Sequence, residues 1–561
     1  MVAFRSAGRL LPGLAALRGY RRSWLRGDVL AGLTVAAYLV PQVMAYAGLA
    51  GLPPVTGLWA ILAPLALYVL LGSSRHLSIG PESTTALMTA AAIAPLAGGD
   101  PGRYAALAAA LAVLVGVLCL IAFAARLGFV ADLLSKPVLV GYMAGVAVAM
   151  IVGQLDELTG VPVSGDSIPA EIASFVRRLP QIHPETAVFA ALLLVLLFLG
   201  QWRFPRLPMP LVAVVLATTA VVVFDLQRHG IAVVGAVPGG LPSPALPELG
   251  DLNDLLLPAV GVLVVGYTDT VLTARAFAVR GGHPVDANQE FLALGAANIG
   301  AGLLRGFPIS SSGSRTALAV AGGARTQVYS LVALAGVVAV LLFAGPILAR
   351  FPEVALGAIV VYAAVRLIDV PEFRRLVAFR RSEALLALAA LAGVLVFDIL
   401  YGVLLAVGLS VVEMLHRVAR PHDAVQGFVP GLAGMHDVDD YPDATTEPGL
   451  VVYRYDSPLF FANAENFRRR ALAAVAEQPV PVTWFVLNVE ANVEVDSTGL
   501  AALDELRAEL TGRGIVFALA RVKQDLFDAL DAYGLIAAIG PDRIFPTLPT
   551  AVAAFREGRV R

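Results

Sequence analysis

Two polar stretches interrupt an otherwise apolar chain, and their residue types suit the binding of an anion. The first covers residues 77–85 and the second residues 305–316; each combines an extended-looking segment, a Gly/Pro break and a polar start to a short apolar helix. A helix N-terminus offers free backbone N–H groups and a partial positive charge, so two such ends facing each other could hold a small anion. The alternative is an ordinary serine-rich loop with an arginine that reaches toward the membrane surface. The second stretch adds hydroxyls and one cation, from Ser311, Ser312, Ser314 and Arg315.

Two carboxylates stand in or beside apolar runs. Asp269 lies within residues 261–273, where an ionisable group is costly and is a functional candidate by default. Thr273 follows one helical turn later on the same face, so the two side chains could coordinate a cation or relay a proton. Structural pairing of Asp269 with a helix terminus or with Arg315 is the alternative. Glu82 begins the helix of the first stretch, where it could cap the helix or, if protonated, carry a coupling proton.

Gln42 and Tyr46 form a further polar pair, spaced i, i+4 within an apolar segment. This spacing places both side chains on one helix face, so they could line the same cavity. Hydrogen bonding to a neighbouring helix is an equally simple interpretation.

The composition indicates that most of the chain lies in lipid. Of its 561 residues, 58% are hydrophobic and 15% are charged, and the mean hydropathy is +0.78. Soluble proteins are roughly 45–50% apolar and about 25% charged. The hydrophobicity excludes disorder, and the single cysteine, Cys119, excludes a disulfide scaffold and disfavours a clustered Cys/His metal site. Because no nucleophile–base pair appears either, we expect a protein that is not an enzyme and needs no cofactor, metal or nucleic acid.

About fourteen apolar segments can be counted, and a membrane-spanning helix needs about 20 mainly apolar residues. The clear candidates are residues 29–50, 104–125, 138–153, 186–200, 211–224, 255–271, 328–348, 355–367, 385–397 and 402–415. The weaker candidates are residues 55–71, 83–96, 291–304 and the short stub 312–321. The two polar stretches fall at the third and tenth segments, which are corresponding positions in the two halves and indicate a transporter site built from inverted repeats.

Basic residues predict the orientation, because cytoplasmic loops carry an excess of Lys and Arg. Arg21, Arg22 and Arg26 precede the first segment, which predicts a cytoplasmic N-terminus. An even number of segments then returns the C-terminus to the cytoplasm, in a multi-pass protein of the cell inner (plasma) membrane. Arg177 and Arg178 fall on the opposite side and are the main exception.

The composition changes after residue 420. Residues 1–420 carry a net charge of +6, and residues 421–561 carry a net charge of −8. Strand-like runs at 450–455, 484–487 and 515–520 alternate with helical patterns at 464–475, 497–510, 524–533 and 550–556. This alternation predicts a small α/β domain with a sheet covered by helices. We therefore divide the chain into a transmembrane anion transport domain (1–420), a linker (421–446) and a soluble domain (447–561).

Specific motifs resemble the SulP family of anion transporters. Residues 40–47, Val-Pro-Gln-Val-Met-Ala-Tyr-Ala, are followed by Leu-Pro-Pro at 52–54 and Gly-Leu at 57–58, and together they look like the first-span signature of that family. The Gly80-Pro81 break, the Ser314-Arg315 ending of the second stretch and a STAS-like C-terminal domain complete the similarity. The resemblance covers essentially the whole chain and is closest to actinobacterial sulfate-transporter-type members.

This resemblance implies a membrane all-α fold of about 14 transmembrane segments in two inverted seven-segment repeats, with core and gate domains, a homodimer and a cytoplasmic α/β STAS domain. It also implies an anion pocket lined by Gln42, Tyr46, Glu82, Ser83, Ser312, Ser314 and Arg315. In sodium-coupled bicarbonate members, the positions matching Asp269, Thr273, Ser311 and Gly313 contribute to a sodium site. Glycine at 313 replaces a threonine of that branch, which favours proton coupling here.

Residues 495–500, Val-Asp-Ser-Thr-Gly-Leu, resemble the helix start of anti-sigma-factor antagonists, whose hydroxyl can be phosphorylated. Asp496 has the residue type of a helix N-cap, and Ser497 and Thr498 would lie in the first turn, where the helix dipole favours a phosphate. Plain capping is the alternative. A cytoplasmic partner of this domain is a further expectation.

These observations together predict a secondary active transporter of a small inorganic anion, with sulfate by proton-coupled symport first. A sodium- or proton-coupled bicarbonate or dicarboxylate transporter is the nearest alternative, because two helix N-termini and an arginine would accept any of these anions. A passive anion channel and a membrane-anchored signalling protein that acts through the STAS domain are the remaining alternatives.

Overall fold

Apolar helices build the first of two structural units, which meet in the chain between Ser410 and Val411. The computed structural model describes residues 11–13, 19–129, 135–163, 165, 167–204, 207–236, 238–247, 252–281 and 284–558. The sequence-based boundaries at residues 420 and 446 stay a prediction.

The first half of the membrane unit contains ten α-helices and one very short strand among the described residues. In chain order they are α1 Leu25–Leu49, α2 Val55–Ala60, α3 Leu62–Leu71, β1 Ile79–Gly80, α4 Ser83–Ala97, α5 Pro101–Ala124, α6 Lys136–Val152, α7 Leu155–Thr159, α8 Ile168–Arg178, α9 Pro184–Arg203 and α10 Met209–Val223. Sequence signals set several of these helix starts. Asp100 caps α5 by accepting hydrogen bonds from the N–H groups of Gly102 and Arg103, and Pro101 occupies the first helical position, where no N–H is needed.

The second half begins with a long helix and repeats the pattern of a two-residue strand before a short helix. Its elements are α11 Leu252–Gly281, α12 Ala287–Leu303, β2 Ser310–Ser311, α13 Gly313–Ala321, α14 Val328–Phe343, α15 Gly345–Leu348, α16 Glu353–Leu367, α17 Val370–Phe379 and α18 Arg381–Ala419. Five helical stretches of the described chain are long and apolar enough to cross a membrane on their own, and five more apolar helices are shorter. The nine-residue α13 is about 14 Å long, roughly half of the hydrocarbon thickness, so it cannot span the bilayer.

The helical stretch α18 doubles back on itself, so its 39 residues supply two spans. A Cβ built on Gly402 would lie 2.7 Å from Cα of Val394, and a Cβ on Gly393 would lie 2.6 Å from Cδ2 of Leu405. In a straight helix, residues twelve positions apart are separated by about 18 Å. The two predicted segments 385–397 and 402–415 are therefore the two arms of this stretch. Glycines at 393 and 402 allow the arms to pack closely.

A six-stranded mixed sheet organises the second unit. Its elements are β3 Asp423–Phe428, β4 Met435–Asp437, β5 Leu450–Tyr455, α19 Ala464–Ala476, β6 Trp484–Asn488, α20 Ser497–Gly512, β7 Val516–Ala520, α21 Gln524–Ala532, α22 Leu535–Ile539, β8 Ile544–Phe545 and α23 Leu548–Glu557. The strand order is β4-β3-β5-β6-β7-β8; β5 to β8 are parallel, and β3 is antiparallel to both of its neighbours. Two apolar clusters cover the sheet, one on each face, as the alternating burial of a helix-covered sheet requires.

Residues 421–446, which the sequence analysis assigns to a linker, contain β3 and β4 of this sheet. Gly427 and the polar residues of the two strands concealed their pattern, since only part of each strand is buried. The three predicted strands and four predicted helices all have counterparts, and β8 and α22 are additional short elements.

Candidate functional site

The two polar stretches meet in the membrane unit through an antiparallel pair of strands. β1 pairs with β2 so that Ile79 lies opposite Ser311 and Gly80 lies opposite Ser310. The N–H of Ser312 donates to the carbonyl of Ser78 at 2.8 Å, and the N–H of Ser78 donates to Oγ1 of Thr316 at 2.9 Å. Because α4 and α13 begin directly after these strands, the pairing brings the two helix N-termini to one place.

Each of the two half-helices is capped by a side chain. Glu82 caps α4 by accepting from the N–H of Thr84 at 2.7 Å, and it also accepts from the hydroxyl of Ser83 at 2.5 Å. Ser312 caps α13 by accepting from the N–H of Arg315 at 3.4 Å. The N–H groups of residues 313 and 314 have no partner among the described residues, and both residues are exposed to the surrounding space. The start of α13 therefore keeps free donors for a ligand.

The place where the β1–β2 pair brings the starts of α4 and α13 together is called the half-helix crossing. Arg315 lies at the centre of this crossing and is completely buried. Its Nη1 donates to Oε1 of Gln42 at 3.1 Å and to the carbonyl of Pro81 at 2.9 Å, and its Nε donates to Oγ of Ser78 at 3.3 Å. Its Nη2 has no hydrogen-bond partner among the described residues. No carboxylate of the described chain lies within ion-pair distance of it, so the guanidinium charge is held by neutral groups alone.

The predicted Gln42–Tyr46 pair exists and points to the same place. Nε2 of Gln42 donates to the hydroxyl of Tyr46 at 3.1 Å and to Oγ of Ser314 at 3.4 Å, while its Oε1 accepts from Arg315. Both residues of the pair are buried on α1. Gln42 thus connects α1 to the start of α13. This contact is itself a hydrogen bond between two helices, so it also agrees with the alternative interpretation of the Gln42–Tyr46 pair.

Asp269 lies on α11 against β2. Its Oδ2 accepts a hydrogen bond from Oγ of Ser311 at 2.7 Å, and Thr273, one turn further along α11, also hydrogen-bonds to it. Asp269 is half-buried and lies close enough to Glu82 for the two carboxylates to repel each other. The structure therefore brings both predicted acids to the same crossing as Arg315, and Asp269 is paired with a serine hydroxyl instead of the arginine.

Three buried polar residues that the sequence analysis missed brace this arrangement. The side-chain amide of Asn298 on α12 forms the two hydrogen bonds to Ile309 that a neighbouring strand would otherwise form. Its Oδ1 accepts from the N–H of Ile309 at 2.9 Å, and its Nδ2 donates to the carbonyl of Ile309 at 3.2 Å. Glu290 accepts from the hydroxyls of Tyr68 and of the serine at 73, and Asp28 accepts three hydrogen bonds from residues 325 and 326. All three are fully buried. A polar residue inside an apolar run was the available signal.

The predicted helix-start motif of the second unit has the geometry of a cap. Asp496 accepts from the N–H of Gly499 at 2.7 Å and from the N–H of Phe461 at 2.9 Å, so it also fastens the preceding loop. Ser497 and Thr498 are exposed in the first turn of α20. The arrangement satisfies plain capping, and phosphorylation of either hydroxyl stays a prediction.

Two short helices that meet at a buried arginine, in a unit of long apolar helices that is followed by an α/β domain, indicate a membrane transport protein. A sequence model of the sulfate permease family matches residues 25–390, and a STAS domain model matches residues 441–551. The chain belongs to the sulfate permease family, and the predicted SulP resemblance is confirmed. It is accordingly a multi-pass membrane protein of an anion transporter family.

Relatives of known name are similar over the full length. A probable sulfate transporter of Mycobacterium tuberculosis strain CDC 1551 is 61% identical over 559 residues, which cover 99% of this chain and 100% of the relative. The chloroplastic sulfate transporter 4.1 of Arabidopsis thaliana is 31% identical, and the match covers 97% of this chain and 82% of the relative.

Solved structures of low sequence identity share the fold. Murine Solute Carrier 26 family member A9, an anion transporter in the inward-facing state, aligns with a TM-score of 0.89 at 23% identity, covering 97% of this chain and 93% of that one. The transmembrane domain of the cyanobacterial bicarbonate transporter BicA aligns with a TM-score of 0.61 at 22% identity, covering 70% of this chain and 98% of that one. The predicted fold class, a helical membrane core with a C-terminal STAS domain, is confirmed.

Proposed function

We propose that this protein is a secondary active transporter that carries sulfate together with protons, and that sulfate binds between the N-termini of α4 and α13. The relatives named above as sulfate transporters support the choice of substrate, because they match nearly the whole chain. The carrying observation is Arg315, a fully buried guanidinium with one free Nη2 and no carboxylate partner among the described residues. A buried charge is costly without compensation, and a bound anion would supply it.

The surrounding groups fit a tetrahedral oxyanion. Free N–H groups at the start of α13 and the hydroxyls of Ser312 and Ser314 would donate to the sulfate oxygens, since sulfate only accepts hydrogen bonds. Tyr46 and Ser83 would complete the pocket from α1 and α4. Gln42 would hold the guanidinium in place, because its amide connects Arg315 with Ser314.

Charge accounting supports coupling to protons. When both acids are ionised, Arg315, Glu82 and Asp269 sum to a net charge of −1, which repels a dianion. Protonation of Glu82 or Asp269 removes that repulsion, so the anion and the proton would favour each other's binding. The hydroxyls of Ser311 and Thr273 provide hydrogen bonds to Asp269, and with glycine at 313 only part of a sodium site would be present.

Transport would move the half-helix pair with its bound anion relative to the remaining helices, by an elevator or rocking motion. We further propose a homodimer in the inner (plasma) membrane with both termini in the cytoplasm, and a cytoplasmic partner for the STAS domain. In this arrangement the protein performs no chemistry on its substrate.

Reconstituted liposomes loaded at alkaline pH and diluted into acidic buffer with radiolabelled sulfate test the site. Arg315→Ala should abolish uptake and retain a normal gel-filtration profile, because one charge-assisted contact is worth about 1.5–3 kcal/mol, or about 10- to 150-fold in affinity. Arg315→Lys keeps the charge but cannot reach both Ser78 and Pro81, so we expect an intermediate affinity. Arg350→Ala, at an exposed arginine, is the matched control. Undiminished sulfate and bicarbonate flux in Arg315→Ala would refute the site.

The same liposomes test the coupling ion. Asp269→Asn should lose the acceleration of uptake by a pH gradient yet keep sulfate–sulfate exchange, since the amide still accepts from Ser311. Acceleration by an imposed sodium gradient at constant pH would contradict proton coupling. Sulfate that never accumulates above its external concentration would favour a passive channel.

A further inference from the structure

Three side chains at the start of the STAS-domain sheet converge in a way that the transport site does not use. His422 precedes β3, Asp437 ends β4 and Asp456 follows β5, and one ligand atom from each lies within 4.8 Å of the other two. Nδ1 of His422 is 3.3 Å from Oδ2 of Asp456. We propose that these residues form a binding site for a divalent transition-metal ion of the zinc type.

The distances agree with metal coordination. Zinc binds imidazole nitrogen and carboxylate oxygen at about 2.0–2.2 Å in tetrahedral geometry, which places two ligand atoms about 3.3–3.5 Å apart. The His422–Asp456 separation is already at that value, and a side-chain rotation of Asp437 would shorten the other two ligand–ligand distances. One imidazole and two carboxylates are a ligand set for zinc and neighbouring first-row ions, with one coordination position left for water.

Each carboxylate already has one oxygen held by an outer group. Oδ1 of Asp456 accepts from Nε of Arg454 at 2.5 Å, which leaves Oδ2 facing His422. Oδ1 of Asp437 accepts from Nε2 of Gln426 at 3.4 Å, and Gln426 in turn accepts from Nδ2 of Asn488 at 2.8 Å. Such outer hydrogen bonds orient the ligands of metal sites.

The charges also favour a dication. With His422 neutral, the two carboxylates carry two negative charges and Arg454 offsets one of them, so the cluster attracts a positive ion. His422 and Asp437 are exposed and half-exposed, which gives an ion access from solvent. This cluster could not be predicted from the sequence, because its members are 15 and 19 positions apart in the chain and no short metal motif connects them.

A backbone hydrogen bond fixes part of the geometry before any ion binds. The N–H of Asp456 donates to the carbonyl of His422 at 2.9 Å and extends the β3–β5 ladder by one residue. The ion would therefore connect the beginning of β3 to β4 and β5. We expect it to stabilise the edge of the sheet, since a ligand that binds only the folded form raises stability.

The test uses the full-length, tag-free protein in detergent, stripped with a chelator and titrated with zinc by calorimetry and by thermal denaturation. Wild type should bind one more equivalent of zinc than the His422→Ala variant. Zinc should also raise the melting temperature of wild type by more than it raises that of the variant. Asp437→Asn should weaken this equivalent at least tenfold, and Gln426→Ala should weaken it about 10- to 100-fold. His436→Ala, at a half-exposed histidine that packs on Tyr441, is the control and should bind as wild type does.

The difference between variants is decisive because other exposed groups, such as His183 beside Glu185, can bind zinc weakly. Equal stoichiometry and affinity in wild type, His422→Ala and Asp437→Asn would overturn the proposal. Loss of binding in His436→Ala as well as in His422→Ala would also overturn it, because the site would then lie elsewhere on this face. Either result leaves the transport proposal untouched.

Discussion

Asn298 offers a sharp test of how the half-helix crossing is held together. Its side chain pairs with both backbone groups of Ile309, just before β2, and it is fully buried. Asn298→Leu keeps the branching and the number of side-chain heavy atoms but leaves the N–H and the carbonyl of Ile309 without partners. Each unsatisfied buried group costs about 1–3 kcal/mol, so the β2 segment should lose about 2–6 kcal/mol of local stability.

The labelling rate of a buried thiol in β2 measures this loss of local stability. Ser310 is almost completely buried in β2, and Ser310→Cys in a Cys119→Ala background places the single thiol of the chain there. A thiol that reacts only in the locally opened state is labelled in proportion to that state's population. At about 1.4 kcal/mol per tenfold change, Asn298→Leu should accelerate maleimide labelling at least about 30-fold.

Asn288→Leu is the matched control on the same helix. Its amide donates to the carbonyl of Phe123 at 3.2 Å, away from β2, so labelling at Ser310→Cys should stay within a few-fold of the parent. In liposomes, Asn298→Leu should also weaken anion affinity, because β2 positions the start of α13. Equal labelling rates in parent and Asn298→Leu protein would refute the view that Asn298 holds β2.

Three further outcomes can be measured by thermal denaturation in detergent. Gly57→Val should prevent stable folding, because a Cβ at Gly57 would lie 1.9 Å from the carbonyl oxygen of Val43, whereas Gly48→Ala on open space should be tolerated. Asp28→Ala should lower the melting temperature by several degrees, since three hydrogen bonds to the turn before α14 are lost; an unchanged value would contradict this role. Burial, followed by the nearby acids, raises the pKa of Glu157 in the α7 turn to about 7, so its ionisation lowers stability progressively between its ordinary value of 4.5 and about 7, and the full loss persists above that pH. Glu157→Gln should therefore be more stable than wild type at pH 8 and equal to it near pH 4.5, and a constant difference across this range would contradict the shift.

The sequence was sufficient for the fold class and for the location of the crossing. Apolar runs of limited length, Gly80-Pro81 and the serine-rich turn are local signals, and each depends on residues close together in the chain. The two apolar segments of α18 were predicted from the apolar pattern alone, and the close approach of residues 393 and 394 to residues 402 and 405 places them side by side. These elements were predictable because their cause is local.

The partners within the crossing could not be predicted in the same way. Spacing suggested Arg315 as one possible partner of Asp269, yet the structure pairs Asp269 with Ser311, 42 positions away, and gives Arg315 only neutral acceptors. The roles of Asn298 and Glu290 were not predicted. Nothing in their own segments distinguishes a side chain that holds neighbouring segments in place from one that lines the anion pocket. Such choices depend on which helices become neighbours, and that is decided by packing across the whole unit.

The neutral surroundings of Arg315 suit the role in anion binding that we propose for it. A carboxylate partner would satisfy the guanidinium permanently, and an entering anion would then have to displace it. Gln42, Ser78 and Pro81 instead fix the orientation of the guanidinium through dipoles and leave its charge and Nη2 available. Glu82 lies close enough to Arg315 for their charges to interact, Asp269 lies close to Glu82, and both acids remain hydrogen-bonded to their own hydroxyl partners. In the proposed transport mechanism, acids placed beside the arginine without an ion pair would leave its charge available to an anion, and the charge state of these acids would control anion binding.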